Sequence, residues 1–204
     1  MDEHRLLKAC REGDANEVKL RLTNQKLNLN IFDGYLTSPL MWACKKGYLE
    51  IVDILLKDER VDPNMVINSG CNAFHYACLN GRTEIVKRML KDFTLQINSR
   101  NNDGCTPLML ASQNGYIEIV KSMILSGRNL DISLKNYRDK RAIDLAIEYK
   151  KKDIVDLLML FEMFPNETRR NLKLQEIGNF FFLFFKLFLF FNNSIQFNSI
   201  YSIY

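Results

Sequence analysis

Apolar and polar positions along this chain recur in blocks. Over residues 116–125 the apolar positions Ile117, Val120, Met123 and Ile124 follow the spacing of one buried helical face. Just upstream, Thr106 and Pro107 precede LMLASQN, and Gly115 follows it. A hydroxyl N-cap, a proline at the first helical position and a glycine suited to a left-handed end bracket another short helix there. The block then repeats. Ala43, Ala77, Ala111 and Ala146 lie 34, 34 and 35 residues apart, and four positions after each come Gly47, Gly81, Gly115 and, breaking the pattern, Lys150. Glu50, Glu84, Glu118 and Asp153 follow, each ahead of an Ile-Val pair. Ala9 and Gly13 start the same pattern 34 residues before Ala43, which makes five units. Each unit predicts two short helices. Helices this short are marginal alone, so their stability must come from stacking one unit on the next. Leu6, Leu40, Phe74, Leu108 and Ile143 hold equivalent positions and predict one continuous apolar row.

The segments SPLMWACKKGYLEIVDILL (38–56) and TPLMLASQNGYIEIVKSMI (106–124) resemble the ankyrin repeat, and NAFHYACLNGRTEIVKRML (72–90) matches with Ala73 in the proline position. Several degenerate copies of its TPLHxA signature in phase are far more specific than one. The resemblance covers about residues 3–162, in units of about 3–29, 30–63, 64–97, 98–132 and 133–162. It implies an all-α solenoid of about five stacked helix-turn-helix units with hairpin-like finger loops. It also implies a concave face made by the first helices, and binding without catalysis.

Three units depart from the pattern. Unit one lacks a finger, and Asp2, Glu3, His4 and Arg5 give it a polar edge, as an N-terminal cap would have. Unit five replaces Thr-Pro by Arg141-Ala142 and the helix-ending glycine by Lys150. Unit two has Leu36 where units three and four have Gly70 and Gly104, which predicts a different finger turn, with Asp33-Gly34 as the alternative.

Composition narrows the class without naming a partner. The chain has 204 residues, 47% hydrophobic and 25% charged, close to the globular average. A net charge of +4 is short of the clustered charge of a dedicated nucleic-acid binder, so no nucleic-acid partner is expected. Five cysteines without a CxxC pair fit a reducing compartment. The charged start MDEHRLLKACRE is not a secretory signal. A cytoplasmic protein is expected, with the nucleus as an alternative.

Candidate chemistry has plain structural explanations. His75 stands at the family's usual histidine position, where bonding to the neighbouring loop is expected. Cys10, Cys44 and Cys78 each follow the repeat alanine, a buried small-residue position. Cys71 and Cys105 fall near finger turns, where exposure is expected. Glu50, Glu84 and Glu118 stand near helix starts, where the macrodipole favours an anion. Lys45, Lys46, Lys87, Lys91, Lys121 and Lys150 to Lys152 read as solvent-facing charge interspersed with acids. No Walker loop, GxGxxG or nucleophile elbow is present. Hence no enzyme, cofactor or metal is expected.

The positions just before the helix-ending glycine face the groove in this family. Here they are Lys45 and Lys46, Leu79 and Asn80, Gln113 and Asn114, and Glu148 and Tyr149. Trp42 and Tyr76, equivalent aromatics on neighbouring first helices, are the leading anchors, since large rigid aromatics dominate interface energies. Finger residues Tyr35, Asn68, Ser69, Asn102, Asp103 and Tyr137 complete the candidate surface. The reading is a scaffold or adaptor that binds a protein partner through groove and fingers.

After residue 162 the character changes. Residues 163–179 read as a polar linker or short helix, and residues 180–204 hold nine of the fourteen phenylalanines. The run from Phe180 to Phe191, with Lys186 inside, would span about 18 Å as a helix, short of the roughly 30 Å hydrocarbon core. Shallow insertion into one leaflet gives the alternative function, a membrane-associated adaptor tethered by its tail. Two further readings stand beside it. The tail packs on the open end of the stack, or it is a translated intron, since its residue types have A/T-rich codons and Gly178-Asn179 is encodable as GGT-AAT, like a splice donor.

Overall fold

The computed structural model describes residues 2–176, which form eleven helices and no strand. Two compact units divide the chain, Met1–Met159 and Leu160–Tyr204, and the boundary falls inside the tenth helix. In the first unit the first helices of successive repeats are α1 (Asp2–Glu12), α3 (Pro39–Lys46), α5 (Ala73–Leu79), α7 (Pro107–Asn114) and α9 (Ala142–Glu148). They pack in order, each on the next. The second helices α2 (Ala15–Leu22), α4 (Leu49–Leu55), α6 (Thr83–Met89) and α8 (Ile117–Leu125) form a parallel row and pack on their own first helices. α10 (Lys152–Met163) carries the fifth Ile-Val pair, buried at Ile154 and Val155. In the second unit α11 spans Pro165–Glu176, and the Thr168 hydroxyl donates to the carbonyls of Leu160 and Phe164.

Local chemistry sets the helix ends. Ser38, Asn72 and Thr106 accept the N–H of Met41, His75 and Met109 through their side chains. Each of those three residues returns the bond, offering a thioether sulfur or an imidazole nitrogen to the capping residue's own N–H. Arg141 cannot cap this way, and the Asp144 carboxylate takes its N–H instead, at 2.8 Å. Gly115 ends α7 at φ 83°, and Lys150 makes the same left-handed ending at φ 57°. The predicted apolar row is buried from Leu6 to Ile143, with no member more than 7% exposed.

The finger of unit two corrects an expectation. Leu36 N–H donates to Asp33 O and Asp33 N–H to Thr37 O, the same two bonds that close the fingers at Gly70 and Gly104. Leu36 therefore adopts φ 56° where the two glycines have 75°. The signal lay one turn earlier. Asp33 Oδ1 accepts the N–H of Tyr35 and Thr37, as Asn101 and Asn136 do for their own fingers. An Asx side chain at the start specifies the turn, and Leu36 bears the strained dihedral.

Between repeats, polar side chains tie loop to loop. Asn30, Asn64 and Asn98 each donate from Nδ2 to a carbonyl, of Arg60, Thr94 and Asn129, one loop further on. Their Oδ1 atoms accept the N–H of Asp62, Gln96 and Asp131. Two guanidinium groups reach the other way. Arg60 donates to the carbonyls of Leu22, Asn24 and Leu27, and Arg128 to those of Asp92, Phe93 and Leu95. Thr94 holds the equivalent position in between.

Candidate interaction surface

Trp42 lies near the middle of α3. The residue is only 8% exposed, and its indole N–H donates to Asp33 Oδ2 at 2.7 Å. Its main role is thus to fasten the finger of unit two to the first helix. The exposed aromatic is Tyr35 at the finger tip, 73% accessible and set edge-on to Trp42 with centroids 6.4 Å apart.

Two ammonium groups sit against these rings. Lys45 Nζ lies 5.1 Å from the Trp42 centroid and 5.7 Å from that of Tyr76 on α5, and Lys46 Nζ lies 5.8 Å from Trp42. Among the described residues neither ammonium has a carboxylate in ion-pair reach. The outer-helix lysines behave as expected, Lys87 pairing with Glu84 at 3.0 Å and Lys121 with Glu118 at 2.7 Å. Lys45 and Lys46 differ from them in resting on aromatic rings rather than beside carboxylates. Tyr35, Trp42, Lys45, Lys46 and Tyr76 form one cluster across a finger and two first helices.

The other candidates extend along the same row. Leu79 is exposed, while Asn80 and Asn114 turn their Nδ2 back to the carbonyls of Tyr76 and Leu110, both at 2.8 Å. Gln113 is half-buried on α7. Ser69 and Asp103 are exposed at their finger tips, and their carbonyls accept the N–H of Asn102 and Tyr137 from the next finger. The fingers are thus laddered, and Tyr137 stands 73% exposed with the Arg100 guanidinium 5.2 Å from its ring.

The buried titratable groups serve the fold. His75 is 1% exposed and its Nε2–H donates to Cys105 O at 3.2 Å, joining α5 to the next finger. Burial pushes its imidazole from the ordinary 6.5 down to about 4. Burial also pushes the Cys10 thiol up to about 12 and raises Cys44 and Cys78. Cys105 corrects an expectation: it is buried, its Sγ 3.6 Å from Asn136 Nδ2. Only Cys71 of the finger pair is half-exposed. Among the described residues no group of three His, Cys, Asp or Glu side chains gathers as a metal site would need.

Sequence reasoning named Asp33 only as a turn residue and missed its bond to Trp42, and it missed Arg82 altogether. The first anchors Trp42, and the second donates to Lys45 O at 3.2 and 3.3 Å, fixing the end of α3. An acid nine residues before a tryptophan carries too little signal to reveal the first. Phe93, 87% exposed in the loop after α6, was also missed.

Paired helices stacked in series, with laddered fingers between them, define a helical repeat protein. Family models for ankyrin repeats match the chain over residues 20–73, 59–136 and 95–169. The chain belongs to the ankyrin-repeat family, whose repeats generally mediate protein–protein interaction and are typically non-enzymatic. No curated protein matches it. Residues 180–204, which carry the tail readings, lie outside the described residues, as do residues 177–179 of the linker. Among the described residues no helix is long and apolar enough to cross a membrane.

Proposed function

We propose that this chain is a non-catalytic scaffold or adaptor that captures a protein partner through its first-helix face and finger tips, centred on Tyr35, Lys45, Lys46, Tyr76 and Leu79. One observation carries the reading. Tyr35 projects into solvent from a finger that the half-buried Trp42–Asp33 bond fastens to α3. A rigid aromatic on a preorganised support loses little entropy on binding, which is the character of an interface anchor. The same reading puts the protein in the cytoplasm. Its buried thiols at Cys10, Cys44 and Cys78 support a reducing compartment.

The test is a pull-down with the full chain, followed by affinity measurements on the partner it identifies. Tyr35→Ala and Tyr76→Ala are each expected to weaken binding by more than about 1 kcal/mol, with Lys121→Ala near neutral. Trp42→Ala is unsuitable, because it removes the finger's anchor and so tests the fold. Undiminished binding by both tyrosine variants, with melting unchanged, would remove the site from this face.

A further inference from the structure

The candidate surface is chemically lopsided. At the repeat positions of Trp42, Lys45 and Lys46, unit one has Lys8, Arg11 and Glu12, while unit three has Tyr76, Leu79 and Asn80 and unit four has Leu110, Gln113 and Asn114. Units one and two thus place four cations and one carboxylate on adjoining first helices, and units three and four place no charge there. Glu12 is already shared, 4.0 Å from Lys8 and 3.7 Å from Arg11. Lys45 and Lys46 rest on aromatic faces instead. A π-face attracts an ammonium group without cancelling its charge, and it displaces part of the water that would screen that charge. These two cations remain available to an incoming anion, and Leu79, three residues beyond Tyr76 on α5, exposes an apolar side chain.

We infer that the partner is recognised through an acidic peptide segment whose carboxylates pair with Lys45 and Lys46 while a neighbouring apolar residue lies against Tyr76 and Leu79. This inference rests on the function proposed above and adds the partner's chemistry. Complementary charge gives specificity and speeds encounter, and it makes association sensitive to salt. Two adjacent lysines ask for at least two acidic residues close together in the partner.

Trp42 is the only tryptophan in the chain, so its emission reports on both ammonium groups without a label. The probe is a capped 12-residue peptide with four glutamates among Ser, Pro and Leu, titrated into the full chain. Its control carries glutamine at the same four positions. The glutamate peptide is expected to bind at least tenfold tighter at low salt, and Lys45→Gln/Lys46→Gln should abolish that preference. Lys87→Gln/Lys121→Gln, which removes the same total charge from the outer helices, should retain it. Equal affinity for the two peptides would overturn the inference, as would a preference that survives the Lys45/Lys46 change or is lost equally with the outer pair. Binding to phosphatidylserine vesicles without preference for the glutamate peptide would also overturn it, in favour of a lipid surface. If both peptides bind equally and Leu79→Ser weakens both, the acidic chemistry is wrong and the groove stands. If a partner protein is indifferent to Tyr35, Tyr76 and both lysines, the groove itself is wrong.

Discussion

Replacing His75 by Met separates two roles of one buried side chain. The equivalent residues in units two and four are Met41 and Met109, whose sulfur atoms receive the same capping N–H at 3.5 and 3.4 Å, so the substitution is one this fold already accepts. Two effects are expected. At pH 7 the variant loses the bond from Nε2 to Cys105 O, leaving that carbonyl with the Asn101 N–H alone, at a cost of about 1 kcal/mol. The second effect is on pH dependence. The folded imidazole titrates near 4 against an ordinary 6.5, so between those values the unfolded chain binds the extra proton and stability falls as pH falls. Each pH unit below the unfolded value costs about 1.4 kcal/mol, so moving from pH 7 to pH 5 should cost the wild type about 2 kcal/mol. The depressed carboxylates, Asp2, Asp58 and Asp131, lose their contribution only at lower pH, below their ordinary 3.8. Urea unfolding at pH 7, 6 and 5, followed by circular dichroism with slopes compared across conditions, measures the effect. The His75→Met variant should lose less than about 0.5 kcal/mol over that range. Equal pH dependence in the two proteins would refute the reasoning and place the titrating group elsewhere.

Leu36→Gly should stabilise the protein by about 0.5 to 1 kcal/mol, because relief of a left-handed dihedral worth roughly 1–2 outweighs the greater freedom of glycine in the unfolded chain. Lys150→Gly, at an exposed helix end, should act the same way; a lowered urea midpoint for either would count against strain at these positions. Leu108→Ala, in the middle of the apolar row, should cost about 2–5 kcal/mol in the same assay. Arg128→Ala removes donors to three carbonyls of the preceding loop and should cost about 1–3 kcal/mol. Its signature is faster amide exchange across residues 92–95, and unchanged exchange there would deny the clamp a structural role.

The helices were readable because burial writes itself into residue type at a fixed interval. Ala43, Ala77, Ala111 and Ala146 are all buried, and the caps at Ser38, Asn72 and Thr106 announce where helices start. The loops were less readable, because the same asparagine serves as a turn former, a cap or a bridge to the next loop. Asn30, Asn64 and Asn98 recur at the repeat interval, yet only the stacked backbone reveals what they hold. At the candidate surface the residue set was legible and its exposure was not. Trp42 is buried and bonded to Asp33, while Tyr35 carries the open face. Lys45 and Lys46 were indistinguishable from solubilising lysines until the rings beneath them were seen.

The asparagine ties have a consequence for how such a chain can change in length over evolutionary time. Each joint offers its neighbour one acceptor and one donor in the same places, from Asn30, Asn64 or Asn98. A tandem duplication of residues 64–97 would therefore insert a module whose connectors match on both sides, and the binding face would grow by one register without new core design. The interval itself has some play, since Asn98 meets Asn129 and Asp131, which stand 35 rather than 34 residues after Thr94 and Gln96. Selection on these joints therefore acts on where the paired donor and acceptor fall more than on an exact repeat length.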